Sequence, residues 1–204
     1  MNSIKKPKLF IDSGAFSAFT LKEEIDIYQY IEFIKKYEKN IEAYACLDVI
    51  GDPVKTLDNQ KIMEENGLSP IIVFHKAEDY SYLERYVKEY DYIGLGGMAG
   101  GIRTKELSKH LDVCFNIICD QKNRLPKCKV HGFGMTNTVL LCRYPWYSVD
   151  STSWNVLSRY GVIIIPKKVN GVYDYLFRPH LLNISNRSKR VLKFNDHYFN
   201  LPSK

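Results

Sequence analysis

The apolar positions of this chain follow two periods in turn. Short β-rich runs stand at 8–12 (KLFID), 41–50 (IEAYACLDVI), 70–75 (PIIVFH), 91–97 (DYIGLGG), 128–134 (CKVHGFG), 147–150 (YSVD) and 161–166 (GVIIIP). Nearly continuous apolar runs of this length are what a strand covered on both faces leaves in a sequence. An eighth run, YDYLF at 173–177, is weaker. Between the runs the spacing changes to three and four. Residues 24–38 put Ile27, Ile31 and Ile34 near one face of a helix. Residues 53–66 open on Pro53, a good first helical residue, and stop before Gly67. Stretches 78–89 and 103–119 also fit helices, and shorter ones are expected at 136–143 and 151–159.

Strands alternating with helices predict an α/β fold with a mainly parallel sheet. Seven or eight strands suit a (β/α) barrel of the TIM type better than an open sheet. An open doubly wound sheet is the alternative. With 204 residues the chain lies at the small end for a barrel, so a trimmed or incomplete one is expected. No repeat, linker or low-complexity tract interrupts it, and a single domain over 1–204 is expected.

Composition narrows the setting. The net charge of +6 is compatible with a polyanionic partner without requiring one. The five cysteines, at 46, 114, 119, 128 and 142, are odd in number and form no CxxC pair. That fits neither a disulfide framework nor a zinc site, and it predicts a reducing cytoplasm. No apolar run is long enough for a signal peptide or a membrane span of ~20 residues. The basic segment RSKRVLK (187–193) reads more readily as a solvated helix or tail than as a nucleic-acid contact.

The unusual residues lie where the strands end. In a (β/α) barrel the C-terminal strand ends carry the chemistry. Here they read Asp12-Ser13-Gly14, Asp48, His75, Gly96-Gly97, His131-Gly132 and Asp150-Ser151. A carboxylate at a buried strand end is costly without partners or a task. Three of them would converge on one mouth, and glycines beside them would let backbone amides approach a flat ligand. Each residue also has a plainer reading. Asp12 and Asp150 could cap the helices that follow, and Asp48 could serve a turn. His75 and His131 read more readily as satisfied structural residues, and Gly96-Gly97 could be only a tight turn. No HxH or HExxH spacing marks a metal, and none is expected. GLGGMAGG (94–101) lacks the Lys-Ser/Thr of a phosphate loop and is weak as a dinucleotide fingerprint. No cofactor is expected.

Four segments, in order, carry a resemblance. DSGAF (12–16) resembles the DSGGF motif of the tRNA-guanine transglycosylase superfamily. YIGLGGMAGG (92–101) resembles that family's strand ending in Gly-Gly-Leu-Ala, and VHGFGMT (130–136) its Met-Gly-Val-Gly segment. SVDSTSW (148–154) resembles the segment holding the family's nucleophilic aspartate. The resemblance implies a (β/α) barrel that exchanges guanine for a 7-deazaguanine at a glycosidic bond. It implies Asp150 as nucleophile on the ribosyl C1′ and Asp12 as general acid and base. Phe16 would stack on the base, and Asp48 would read its N1 and 2-amino edge. Gly96 and Gly97 would offer backbone contacts, with Ser13, Met98, His131 and Gly132 also in the binding set.

The chain departs from the family in three ways. It has no clustered cysteines for the structural zinc and Ser17 where the family has Gln, and no appended RNA-binding domain is expected. These departures resemble the shorter DNA-modifying relatives of phages and bacterial islands. They imply DNA before tRNA as the target, and leave room for a partner protein that supplies nucleic-acid surface. Basic residues for phosphate contacts are Arg103, Lys105, Arg143, Lys167, Lys168, Arg178, Arg187 and Lys189. Trp146 and Trp154 read as core before stacking platforms. Two other readings stand beside this one. One is a hydrolytic N-glycosidase or nucleoside-acting enzyme, the other a non-catalytic barrel that binds a purine or nucleic acid.

Overall fold

The structure is a computed structural model that describes residues 8–98, 101–151, 159–165, 167–174 and 180–183. It is a mixed α/β fold with parallel sheets. The chain divides into two compact units: Met1–Met135 with Tyr144–Asp150, and Thr136–Arg143 with Ser151–Lys204.

In the first unit six strands follow one another: β1 (Leu9–Ile11), β2 (Ile41–Tyr44), β3 (Ile72–His75), β4 (Tyr92–Gly96), β5 (Lys129–Gly132) and β6 (Ser148–Val149). β1 pairs with β2, and β3 to β6 form one four-stranded sheet, every pair parallel. A single parallel bridge, Ala45 to Ile71, joins the two sheets between β2 and β3. The spatial order is therefore the chain order. A doubly wound sheet reverses its order at a switch point, and these six strands contain no reversal.

The sheet is also curled. The Phe10 ring on β1 stacks on the His131 ring of β5, with centroids 4.2 Å apart and planes at 16°. Four strand spacings in a flat sheet would separate β1 from β5 by roughly 19 Å. One face is thus turned inward on itself, and it carries Phe10, His131 and Phe133.

Helices make the crossovers. α1 (Ala15–Leu21) and α2 (Ile27–Tyr37) follow β1, α3 (Pro53–Glu65) follows β2, α4 (Tyr80–Glu89) follows β3, and α5 (Thr104–Ile118) follows β4. The expected stripe on α2 holds, since Ile31 and Ile34 are buried. Asp26, Asp52 and Asp79 cap α2, α3 and α4 by accepting hydrogen bonds from backbone N–H groups of the first turn. α2 accordingly starts three residues later than the apolar pattern alone predicts. α4 and α5 turn Leu83, Tyr86, Leu111, Cys114 and Ile118 inward, closing the outer side of the sheet.

Among the described residues, the second unit contains α6 (Thr138–Arg143) and the strands β7 (Val162–Ile165), β8 (Lys167–Val169), β9 (Val172–Asp174) and β10 (His180–Asn183). Here the sequence expectation needs correcting. The run at 161–166, expected as a further parallel strand, forms β7, whose pairing among the described residues is antiparallel, with β10. β8 and β9 form an antiparallel hairpin whose turn residues, Asn170 and Gly171, both have positive φ. Asn-Gly is the pair that such a two-residue turn requires, and it is the local signal that distinguishes a hairpin from another βα unit. Of the run 173–177, residues 175–177 lie outside the described residues, as does most of 151–159. Among the described residues, no helix is long and apolar enough to cross a membrane.

Candidate active site

The inward face is laid out by strand register. His131 on β5 lies opposite Gly94 on β4 and Ser148 on β6. One step on in the strand direction come His75, Gly96 opposite it on β4, and Asp150 just past β6. Residues two apart on a strand share a face. The chain thus places Tyr92, Gly94 and Gly96 on this face of β4, and Ser148 and Asp150 on that of β6.

The three predicted aspartates gather at this end of the sheet. Asp12 is held above its ordinary carboxyl range, first by burial, then by the charges of Asp48 and Asp150, with the Gly14 and Ser13 amides pulling the other way. Its response to both carboxylates ties together the ends of β1, β2 and β6. Asp12 does not cap α1, whose N-cap is Gly14 with no side-chain capping bond. Asp150 goes the opposite way. Burial raises it, but the His131 ring and a hydrogen bond from the Gly134 N–H to Oδ1, 2.6 Å, together bring it below the ordinary range.

Asp48 is nearly closed off, at 9% exposed. The Ser13 hydroxyl donates to Oδ1 at 2.6 Å, and His75 Nε2 lies 2.9 Å from Oδ2. On its other side, His75 Nδ1 lies 3.2 Å from Glu78 Oε1. Burial alone would lower the His75 pKa, but hydrogen bonds to Asp48 and Glu78 overcome it and push it up to about 9. Each Asp48 oxygen has used one lone-pair direction and keeps another.

His131 is 2% exposed and ends a second line of polar groups. Tyr92 Oη and Ser148 Oγ are 2.6 Å apart, and Ser148 Oγ is 2.7 Å from His131 Nδ1. His131 Nε2 has no hydrogen-bond partner and lies 3.8 Å from Asp150 Oδ1, an ion-pair distance too long for a hydrogen bond. Gly134 and His131 both address Oδ1.

The remaining predicted positions divide. Gly96 makes room for His75, because a Cβ there would lie 2.7 Å from the ring. Gly97 has φ 72, which favours glycine, and its Cβ position lies 3.1 Å from the Lys76 amide nitrogen. Gly132 faces the outer layer, where a Cβ would meet Trp146 at 2.9 Å, and its carbonyl accepts from the Asp150 N–H. Trp146 stands edge-on to Phe115 of α5 and is half-buried. Met98 is buried, and Phe16 is 62% exposed on the first turn of α1. Arg103 and Lys105 are exposed at the start of α5, in the crossover that leaves the site end of β4. Arg143 ends α6 and Lys167 and Lys168 lie on β8, all in the second unit. Arg178, Arg187, Lys189 and Trp154 lie outside the described residues.

Sequence reasoning passed over Glu78, Tyr92, Ser148 and Gly134. Ser148 had a usable signal, since it shares strand parity with Asp150. Glu78 had none, because its place depends on a turn. Among the described residues, no group of three or more His, Cys, Asp or Glu side chains is arranged to hold a metal ion. No protein-family model matches the chain, and no curated protein matches it.

Proposed function

We propose that this chain is a base-exchange transglycosylase on a small (β/α) barrel, replacing guanine in nucleic acid, DNA before tRNA, with a 7-deazaguanine. The observation that carries the reading is the pair Asp12 and Asp150. They are like groups at one sheet end, and their surroundings push one pKa up and the other down. Two carboxyls separated in this way divide naturally into a proton carrier and an anion. The chain-order strands and the curled sheet support the barrel.

Cleavage of an N-glycosidic bond passes through an oxocarbenium-like state. Asp150 attacks C1′ as the bond to the base nitrogen breaks, giving an aspartyl-glycosyl ester. The Asp12 carboxyl gives its proton to the departing guanine, whose anion is otherwise a poor leaving group. In the second half the Asp12 carboxylate takes the ring N–H proton of the incoming 7-deazaguanine. That nitrogen bonds to C1′, and Asp150 leaves as the carboxylate. The Gly134 N–H, already on Oδ1, stabilises Asp150 at both ends of the cycle. Asp48 accepts from the base's N1–H and 2-amino group. Within a duplex the guanine must first be flipped out of the stack, and Arg103 and Lys105 stand in the crossover beside the site as phosphate contacts.

The test is incorporation of radiolabelled guanine into DNA and tRNA from one host. Label is expected in DNA, and Asp150→Ala and Asp12→Ala abolish it while the circular dichroism spectrum stays that of the parent. Release of free guanine without incorporation identifies a hydrolytic glycosidase instead. Binding without exchange or release identifies a purine-binding module.

A further inference from the structure

The turn after β3 holds strain and charge that a simple connection does not need. Ala77 has φ 84, in the left-handed region that a side-chain-bearing residue avoids. That conformation folds the chain back so that Glu78 reaches His75 twice. One carboxylate oxygen accepts from the His75 backbone N–H at 3.1 Å, and the other meets Nδ1 at 3.2 Å. The Glu78 side chain is 3% exposed. Burying a carboxylate, an imidazole and a second carboxylate together is a weak way to stabilise a fold, because desolvation offsets most of the attraction. Strain and buried charge of this kind cluster where function uses them.

The geometry puts a carboxyl oxygen within reach of each His75 ring nitrogen. Against the effect of burial, hydrogen bonds to these two groups push the His75 pKa up to about 9, so the ring can donate on both sides at neutral pH. The ring donates to Asp48 Oδ2 while Ser13 donates to Oδ1. Gly96, without a Cβ, leaves the ring its place. Asp48 is anchored through both oxygens, and what it still presents is acceptor capacity alone. An edge with two adjacent donors matches it, and adenine has no such pair.

We propose that Glu78 is a positioning residue for base selection: through His75 it holds Asp48 as an acceptor-only reader of a purine edge that carries adjacent N–H and amino donors. The proposal deepens the transglycosylase reading and rests on it. Glu78 touches neither the base nor the sugar. Its contribution lies in binding the right base rather than in bond breaking.

The experiment compares the full-length parent with Glu78→Gln, which keeps the side-chain shape. Steady-state exchange is measured with guanine and with hypoxanthine, which lacks the 2-amino group. The ring nitrogens of His75 are followed by 15N NMR. In Glu78→Gln the KM for guanine rises about tenfold, the loss of one charge-assisted hydrogen bond, while kcat stays near the parent value. The preference for guanine over hypoxanthine narrows, and the doubly protonated ring signature expected of the parent at pH 7.5 is lost. A residue that only supported the fold would lower active fraction and leave KM and preference alone. Parent exchange with an unchanged KM and preference in Glu78→Gln overturns the role of Glu78 and leaves the transglycosylase reading standing. A parent that neither binds nor exchanges guanine overturns both.

Discussion

At the scale of single residues, surroundings give Asp12 and Asp150 different work. Burial, then the charges of Asp48 and Asp150, raise Asp12 above its ordinary value of 3.8. A carboxyl raised in this way binds its proton more tightly folded than unfolded, so its ionisation costs stability once the pH passes the unfolded value. Asp12→Asn removes that cost. Thermal unfolding should therefore give a higher Tm for the variant at pH 7 and no gain near pH 3, where both states hold the proton. Base exchange falls in the same variant. An equal Tm change at the two pH values would mean that the shift does not come from Asp12 ionisation. Asp150 has the reverse balance, with the Gly134 amide and the His131 ring outweighing its burial.

At the scale of elements, β4 is closely hemmed in on its inward face. Tyr92, Gly94 and Gly96 alternate on its inward face, and both glycines are cut to fit side chains from neighbouring strands. A Cβ at Gly94 would lie 2.5 Å from Phe133, and one at Gly96 would lie 2.7 Å from His75. Gly96→Ala forces the buried ring aside, and overpacking of this sort costs about 1–3 kcal/mol. Chemical denaturation should show that loss. Because the displaced ring is the one that grips Asp48, the KM for guanine should rise as well. Normal stability together with normal KM would show that the ring has another place to go. The β8–β9 hairpin in the second unit follows the opposite logic. Its turn is set locally by Asn170 and Gly171.

At the scale of the molecule, the curl of the first unit brings the site together. Phe10 and His131 are four strands apart in the sheet order and in contact across its inward face. A double-mutant cycle on Phe10→Leu and His131→Gln should give a coupling of about 0.5–1.5 kcal/mol, the size expected of stacked rings. A flat sheet would keep the two side chains apart and give no coupling. The same curl lets Asp12, after β1, feel Asp150, after β6.

The sequence by itself determined the parts made of local contacts. Apolar runs and helical spacing marked the six parallel strands and the helices between them other than α1, because burial on one or both faces leaves its period in the chain, and α1 buries only Ala15. It also marked Asp12, Asp48 and Asp150, since an acid after an apolar strand stands out against the pattern. Only the tertiary structure decided what depends on residues far apart in the chain. Register set Tyr92 on Ser148 and Ser148 on His131, the strained Ala77 turn brought Glu78 to His75, and β7 paired antiparallel with β10. Pairing partners and pKa shifts are set by neighbours across strands, and a linear pattern records which residues face inward but not which of them meet.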